Sequence, residues 1–192
     1  MSDAPIIYWF RQDLRLDDLP GLCAAAATGR PVLPVYLLDD DAAGERAPGG
    51  ASRWWLHGSL AALAEAIRDA GGTLYLRRGD TLALLEALCE STGATDVYCS
   101  RQYEPWAVAL EERLHESLMA KGITVRRYPG TLLFEPGSVL TKTGDPYKVF
   151  TPFWRACRAA ATPRAPLGRP DAITWQAAPD SGDMLDDWAL RP

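Results

Sequence analysis

The segment PIIYWFRQDLR, residues 5–15, decides the fold class of this chain. It opens with apolar, β-branched and aromatic side chains, and this run ends abruptly at Arg11. A short continuous apolar run of this kind is typical of a strand that is buried on both faces of a parallel sheet. Residues 5–10 are therefore predicted to form the first strand, and the polar residues after Phe10 form the loop at its carboxyl end.

Strand-like and helix-like segments alternate along the chain after this first strand. Four further strands are predicted over residues 31–38, 73–77, 96–100 and 123–128, and four helices over residues 19–28, 52–70, 81–91 and 105–121. Such alternation predicts right-handed crossovers between parallel strands. The predicted fold class is therefore α/β: a doubly wound, five-stranded parallel sheet of the Rossmann-like type, with helices on both faces.

The longest helix is predicted over residues 52–70, with Ser52 as its N-cap and Gly71-Gly72 after its last turn. Its apolar side chains recur at helical spacing, which predicts that one face packs against the sheet. That face comprises Trp55, Leu56, Leu60, Leu63, Ala64 and Ile67.

The periodic pattern changes beyond Tyr128. Residues 132–140 are predicted to be extended, residues 150–160 to form a short helix, and residues 162–192 to form a linker or wrapping tail with few core residues. Two units are predicted on this basis. They are an α/β domain over residues 1–130 and an extended segment with a C-terminal linker tail over residues 131–192.

A doubly wound sheet binds its ligands outside the carboxyl ends of its strands. The candidate site therefore lies in the loops after Phe10, Leu38 and Ser100. The first of these loops brings aromatic, guanidinium and carboxylate groups together. A purely structural alternative is an ion pair between Asp13 and Arg15 that fixes the loop.

Composition places the chain among globular proteins, because 47% of its 192 residues are hydrophobic and 23% are charged. A net charge of −5 argues against a protein that binds DNA by its overall field. Residues 141–170 depart from that balance, with six basic residues against Asp145 and a local charge of +5. This stripe faces DNA phosphates, a second domain, or only solvent.

Several classes of function lack the residues that they require. No GxGxxG follows the first strand, no GxxxxGK[ST] occurs, and no nucleophile and base stand in a recognisable arrangement, so no catalytic residue is predicted. The four cysteines form no CxxC pair and only two histidines accompany them, which predicts no metal site and reduced thiols. No apolar run approaches a membrane span and the amino terminus has no leader, so a cytoplasmic location without a membrane partner is predicted.

The string WFRQDLRLDD, residues 9–18, closely resembles the opening signature of the DNA photolyase and cryptochrome family. Further segments resemble this family in the family's own order. They are SRWWLHGSLAALAEAIRDAG (52–71), LRRGD (76–80), RQYEPWAVALEERL (101–114), TGDPYKVFTPFWRAC (143–157) and DDWALRP (186–192).

The resemblance implies that residues 1–130 form the α/β domain that holds a light-harvesting antenna chromophore, and that residues 131–192 are an interdomain segment. It implies that FAD binds only in a helical catalytic domain, which is absent from this chain and expected to follow Pro192. The whole protein would then repair UV-induced cyclobutane pyrimidine dimers in DNA by light-driven electron transfer from FAD. Its partners would be that helical domain and, through it, damaged DNA. The α/β domain alone would not be catalytic.

The resemblance also implies four residues that bind the antenna chromophore. Arg11 and Arg53 match positions used with flavin-like antennae, and Gln102 and Glu104 match contacts after the fourth strand. The chromophore is FMN, a deazaflavin, methenyltetrahydrofolate, or none. The structural alternatives are a solvated helix face for Arg53 and, for Glu104, a carboxylate that stabilises the first turn of a helix.

Two other functions remain open at this point. A cryptochrome-type blue-light photoreceptor would share the same domain, and light-dependent dimer repair would distinguish the two. A stand-alone nucleotide-binding module would have the same sheet, and it would be stabilised against heat by an adenine nucleotide alone.

Overall fold

The computed structural model describes residues 4–160 and 162–191, so Met1 and Pro192, the outer bounds of the two predicted units, lie outside the described residues. Its centre is a five-stranded, all-parallel sheet with the strand order β3-β2-β1-β4-β5. This confirms the predicted fold class. The strands are β1 (Ile6–Phe10), β2 (Val32–Leu38), β3 (Tyr75–Arg78), β4 (Asp96–Ser100) and β5 (Thr124–Tyr128).

Helices connect the strands in the predicted places. They are α1 (Pro20–Ala27), α2 (Gly50–Asp69), α3 (Thr81–Thr92) and α4 (Pro105–Ala120). A fifth helix, α5 (Phe150–Ala159), follows the last strand, and single 3₁₀ turns lie at Gly44–Arg46 and Leu185–Trp188. The predicted N-cap Ser52 is wrong, because α2 begins two residues earlier and Gly49 is its N-cap. None of the helices in the described part of the chain is long and apolar enough to span a membrane.

The sheet is buried on both faces by two separate hydrophobic clusters. One face packs against α1 and α2, through residues such as Leu22 and Leu63, and the other packs against α3 and α4, through residues such as Leu85 and Leu114. Because β1 pairs with both β2 and β4, the chain reverses its direction of winding between these strands. The carboxyl ends of β1 and β4 therefore open a crevice at the topological switch point.

Burial is lower at two places at the margins of the sheet. β5 is an edge strand with three exposed and two half-buried residues, and its Arg126 and Arg127 give this edge a charged surface. Trp55 was expected on the apolar face of α2, but its side chain is 70% exposed. The remainder of that face is buried or half-buried, including Leu60 and Ile67.

Residues 162–191 wrap around the sheet instead of standing apart from it. The carbonyl of Thr174 accepts a hydrogen bond from the amide of Val32 at 2.8 Å, and the Trp175 indole donates to the carbonyl of Ala70 at 2.8 Å. Two residues of this segment, Trp188 and Leu190, are buried in the cluster on the α1–α2 face. Residues 132–140, predicted to be extended, form bends and turns.

The wrapped segment is fastened to β3 by a group that we call the tail clamp, comprising Arg77, Asp180 and Asp183. The Arg77 guanidinium donates to Asp180 at 2.8 Å and to Asp183 at 3.0 Å. The amide of Asp183 also donates to the carbonyl of Leu76 at 2.8 Å. Gly182 has a positive φ of 64°, and an added Cβ would lie 3.0 Å from that same carbonyl, so glycine suits this close approach.

Candidate functional site

A cavity of about 320 Å³ opens at the carboxyl ends of β1, β2 and β4. This volume lies within the range of small-molecule sites, roughly 300–1,000 Å³. The loops after Phe10, Leu38 and Ser100 were the predicted location, and residues from all three contribute to its lining. The four residues predicted to bind a chromophore, Arg11, Arg53, Gln102 and Glu104, all line this one cavity.

The cavity walls are mainly aromatic and aliphatic. Such walls favour a planar apolar ring system, which they would contact without requiring polar partners. The apolar lining residues are Trp9, Phe10, Tyr36, Leu37, Leu38, Ala42, Ala43, Pro48, Leu56, Trp106 and Leu110.

One side of the cavity is held by a pair that we call the buried cluster, comprising Arg11 and Glu111. Arg11 Nη1 donates to Glu111 Oε1, and the guanidinium lies 4.5 Å from the ring centre of Trp9. Glu111 Oε2 accepts from Arg127 Nη1 at 2.9 Å, and its Oε1 accepts from the amide of Gln102 at 3.2 Å. One carboxylate from α4 therefore joins the loop after β1, the loop after β4 and strand β5.

Arg11 retains one donor without a partner. Its Nη2 is the single buried side-chain nitrogen or oxygen in the described residues that makes no hydrogen bond. A buried unpaired donor costs free energy, about 1–3 kcal/mol and more for a charged group. Arg11 lines the cavity, but this nitrogen is itself enclosed, so a ligand acceptor such as a ring carbonyl or an anionic oxygen would reach it only after the guanidinium turns.

Asp13 does not pair with Arg15, so the predicted ion pair is wrong. The Asp13 carboxylate is buried and accepts from the amide of Arg11 at 2.9 Å and from the Ser100 hydroxyl at 2.6 Å. Arg15 donates instead to backbone carbonyls, among them that of Gly130 at 2.8 Å. Both side chains fix loops, and the buried carboxylate does so by joining the ends of β1 and β4.

Gln102 and Glu104 follow β4 and differ in how fully they are bonded. The side-chain amide of Gln102 has no hydrogen-bond partner among the described residues, but unlike Arg11 Nη2 its nitrogen and oxygen are not fully enclosed. Glu104 accepts from the Gln12 amide at 3.3 Å and from the backbone amide of Tyr103 at 3.1 Å. Burial raises the pKa of Glu104, but hydrogen bonds from the backbone amides of Glu104 and Tyr103 outweigh it and leave the pKa lowered.

Arg53 lies at the rim of the cavity and is held by an acidic residue that follows β2. Its Nη1 donates to Asp40 Oδ1 at 2.7 Å, and Arg78 Nε donates to Asp40 Oδ2 at 2.6 Å. Burial raises the pKa of Asp40, but the hydrogen bonds and charges of the two arginines lower it by more, so the pKa lies below its ordinary value. Arg53 is thus oriented by a carboxylate and is not simply a solvated residue of a helix face.

Sequence reasoning missed Glu111 and Asp40. The sequence does carry a signal for Glu111. It lies four residues after Ala107 and three before Leu114, and this spacing places all three on the same buried face of α4. A carboxylate on a buried helix face needs partners, so it marks a nearby cation. No comparable signal existed for Asp40, since its two partners come from separate elements.

The four cysteines are free, and those at positions 89, 99 and 157 are buried, as reduced thiols were predicted to be. Burial raises the pKa of both Cys89 and Cys99 to about 12. The described residues contain no group of three or more histidine, cysteine, aspartate or glutamate side chains placed to hold a metal ion.

Comparison with protein families gives a match that covers most of the chain. The family model described as DNA photolyase matches residues 6–171, a span that includes the whole sheet and the four cavity residues. The chain belongs to the DNA photolyase family. The relatives of this chain include both photolyases and cryptochromes.

Two curated relatives in this family differ in their printed function. A deoxyribodipyrimidine photo-lyase of Agrobacterium fabrum is 43% identical over 192 residues, which is 100% of this chain and 40% of that protein. Cryptochrome-1 of Arabidopsis thaliana is 37% identical over 169 residues, which is 87% of this chain and 25% of that protein. The chain therefore spans less than half the length of these relatives.

A crystal structure of a bacterial class III photolyase from Agrobacterium tumefaciens has the same fold. The two structures align with a TM-score of 0.92 at 42% sequence identity. The alignment covers 100% of this chain and 39% of that photolyase. The aligned region therefore includes both the sheet and the segment that wraps it.

Proposed function

We propose that this chain is the antenna-chromophore domain of a DNA photolyase. One observation carries the proposal: the aromatic-lined cavity gathers Arg11, Arg53, Gln102 and Glu104 at the carboxyl ends of the strands. The side-chain amide of Gln102 is not bonded to any described residue, so it is available to a ligand. A flat heteroaromatic molecule with carbonyl or anionic oxygens matches this combination of apolar walls and few polar groups.

Each cavity residue has a distinct task in this proposal. Arg11 donates to a ligand acceptor from a position fixed by Glu111, and Gln102 supplies a neutral donor and acceptor next to it. Arg53 presents a cation at the rim, held by Asp40, where it faces a charged or carbonyl-bearing arm of the ligand. Glu104, whose pKa is lowered, is ionised at neutral pH and accepts hydrogen bonds only.

A bound antenna supplies absorption of near-ultraviolet or blue light and transfer of that excitation to FAD. This function needs a fixed distance and orientation between two pigments, so the protein must hold the ring rigidly and exclude water. The buried cluster serves rigidity, since its arginine and glutamate side chains are 4% and 2% exposed. The chain's own residues therefore bind and orient the ligand, and none of them needs to transfer a proton.

Binding of candidate chromophores to the purified chain tests this proposal. FMN, a deazaflavin and methenyltetrahydrofolate are titrated separately, and binding is followed by absorption and by quenching of tryptophan fluorescence. We expect saturable binding of at least one of them, and a weaker affinity in Gln102→Ala, which removes an amide without breaking an internal side-chain bond. Gln176→Ala, outside the cavity, is the matched control. Failure of all three ligands to bind would overturn the proposal.

The domain organisation and the chemistry of the whole protein are part of the same proposal. Residues 1–130 form the antenna domain, and residues 131–192 form an interdomain segment that leads to a helical, FAD-binding domain. The photolyase relative supports this, because 40% of its length corresponds to this chain. The full-length protein then reverses cyclobutane pyrimidine dimers in DNA by light-driven electron transfer from FAD, and contacts damaged DNA through its helical domain.

A cryptochrome-type photoreceptor is the second candidate, because Arabidopsis cryptochrome-1 is 37% identical to this chain. Dimer repair by the full-length protein decides between the two. Oligonucleotides containing a thymine dimer are illuminated with the protein, and a dark sample serves as the control. Light-dependent loss of the dimer supports the photolyase function, whereas no loss in a protein that retains FAD supports the photoreceptor.

A further inference from the structure

We infer that the wrapped C-terminal segment positions the rim of the cavity through Arg78. The backbone amide of Arg78 donates to Asp183 of that segment, and its guanidinium donates to the carbonyl of Trp188. The same guanidinium binds the carboxylate of Asp40, which in turn binds Arg53 at the cavity. The inference rests on the proposed function, since it assigns Asp183 as a positioning residue for ligand binding. It extends that function by making the affinity of the antenna site depend on a segment that does not line it.

The first step is the shared carboxylate. Asp40 uses one oxygen for each guanidinium, with 2.7 Å to Arg53 Nη1 and 2.6 Å to Arg78 Nε. These short charge-assisted bonds are of the stronger class in proteins. The three side chains are only 26–40% exposed, so solvent screens the network less than it screens fully exposed pairs. Removing Arg78 from Asp40 therefore leaves Arg53 with a carboxylate that is free to rotate.

The second step is the attachment of Arg78 to the wrapped segment at both of its ends. The backbone amide of Arg78 donates to Asp183 Oδ2 at 2.8 Å, and its Nη1 donates to the carbonyl of Trp188 at 3.4 Å. Arg78 is the last residue of β3, and the amide of the next residue, Gly79, makes one more bond to the neighbouring strand, to the carbonyl of Leu38 at 3.0 Å. The Asp183 carboxylate thus fixes the residue at which the strand gives way to a loop.

The third step is the rigidity of Asp183 itself. Its carboxylate accepts from Arg77 Nη1 at 3.0 Å and from the Trp188 indole at 3.1 Å, in addition to the amide of Arg78. Trp188 is 3% exposed and packs against Tyr36, a residue that also lines the cavity. Three donors around one carboxylate, with a buried indole behind it, make Asp183 a fixed point in the segment.

Asp183→Ala tests the inference, with Asp180→Ala as the matched control. Both substitutions remove a carboxylate that binds Arg77, but Asp180 makes no bond to Arg78. Titrations of FMN and methenyltetrahydrofolate should show a loss of affinity of roughly 5-fold or more in Asp183→Ala, the lower end of typical coupling between sites. Asp180→Ala should retain the wild-type affinity, and Arg78→Gln should reproduce the loss.

A double substitution separates positioning from general loosening of the fold. If Asp183 acts through Arg53, then Asp183→Ala should weaken binding no further in an Arg53→Gln background. Additive losses would overturn the inference, as would equal losses in Asp180→Ala and Asp183→Ala. Urea unfolding of each variant verifies that the fraction of folded protein is the same in all titrations.

A readout without ligand keeps this inference separate from the antenna proposal. The pKa of Asp40, measured by carbon NMR titration of its carboxyl group, should rise towards its ordinary value in Asp183→Ala and stay low in Asp180→Ala. If wild-type protein binds no chromophore, the antenna proposal fails while this titration still decides whether the segment controls the rim. An unchanged pKa of Asp40 in Asp183→Ala would overturn the positioning role in either case.

Discussion

Two arginine-centred groups, the buried cluster and the tail clamp, hold the molecule together in different ways. In the buried cluster the side chains of Arg11 and Glu111 are 4% and 2% exposed. In the tail clamp Arg77 is 32% exposed and its partners Asp180 and Asp183 are 49% and 26% exposed. The same kind of ion pair therefore lies inside the fold beside the cavity and at its surface along β3.

This difference in burial decides what each group can do. A buried ion pair contributes little net stability over an apolar pair, but breaking it is costly because one charge is left uncompensated. A half-exposed pair is screened, and its charges return to water when the pair opens. Breaking the buried pair beside the cavity therefore costs more than breaking the outer pair of the tail clamp, Arg77 and Asp180, whose charges return to water.

Breaking the buried cluster should have the largest effect. Glu111→Gln keeps the shape of the side chain but leaves the Arg11 guanidinium without a counter-charge in the interior. We expect a fall of about 3–5 kcal/mol in the free energy of unfolding, the range found when one partner of a buried pair is removed. Urea unfolding followed by tryptophan fluorescence measures this change.

Glu112→Gln is the control for that prediction. Glu112 is the next residue of α4, and its side chain is exposed, with no ion-pair partner in the described part of the chain. Its substitution should change the free energy of unfolding by less than about 0.5 kcal/mol. Similar losses in the two variants would show that the buried cluster is no different from a surface charge.

The sheet was predictable from the sequence because its signals are local. Apolar runs such as residues 5–10 and 31–38 lie in strands that are buried on both faces, and glycines end the helices between them. The signals were weaker where burial depends on a distant partner. Trp55 has helical spacing but no neighbour to cover it, and Trp188 lies in a Pro- and Asp-rich stretch yet fills a gap beside Tyr36.

The candidate site was predictable in position but only partly in detail. The carboxyl-end rule and the family resemblance led to residues that line one cavity, including Arg11 and Gln102. The carboxylates that orient the two arginines, Glu111 and Asp40, lie 100 and 13 residues away from their partners in sequence. Helix spacing places Glu111 on a buried face, but the identity of the arginine that each carboxylate binds depends on packing in three dimensions.

Disturbing the packing of the C-terminal segment should lower the free energy of unfolding by a smaller amount. Gly72→Ala tests this prediction. An added Cβ at Gly72 would lie 2.7 Å from the ring of Trp175, so the indole must move or its bond to the Ala70 carbonyl must lengthen. We expect a loss of about 1–3 kcal/mol, typical of overpacking. Thermal unfolding and solvent quenching of tryptophan fluorescence would report both the loss and the displacement of the indole.

Gly58→Ala serves as the comparison, because it should raise the free energy of unfolding instead of lowering it. Gly58 lies inside α2, is exposed, and would place its new Cβ where no atom lies within 4 Å. Alanine there should stabilise the chain by about 0.5–1 kcal/mol, because it restricts the unfolded chain and favours the helix. A stabilising Gly72→Ala would show that Trp175 does not pack at this position.

The smallest effect should come from the tail clamp, and it should depend on pH. Hydrogen bonding from the amide of Gly182, aided by Tyr75 and Arg77, lowers the pKa of Asp180 below its ordinary value of 3.8. A carboxyl group with a lowered pKa in the folded state stabilises the fold above its unfolded pKa, and this contribution is lost as the pH falls through the folded value. Asp180→Asn should therefore lower the urea midpoint slightly at roughly pH 7. The difference from wild type should close as the pH falls below 3.8 and through the lowered folded pKa.

Asp171→Asn is the control for this last comparison, because Asp171 is an exposed residue of the same segment that makes no ion pair with the rest of the described chain. Its urea midpoint should follow that of the wild type at every pH. If Asp180→Asn remained less stable by the same amount in acid, the loss would come from packing or hydrogen bonding and not from the charge. The tail clamp would then resemble the buried cluster in its mechanism, and exposure alone would not explain why breaking one group costs more than breaking the other.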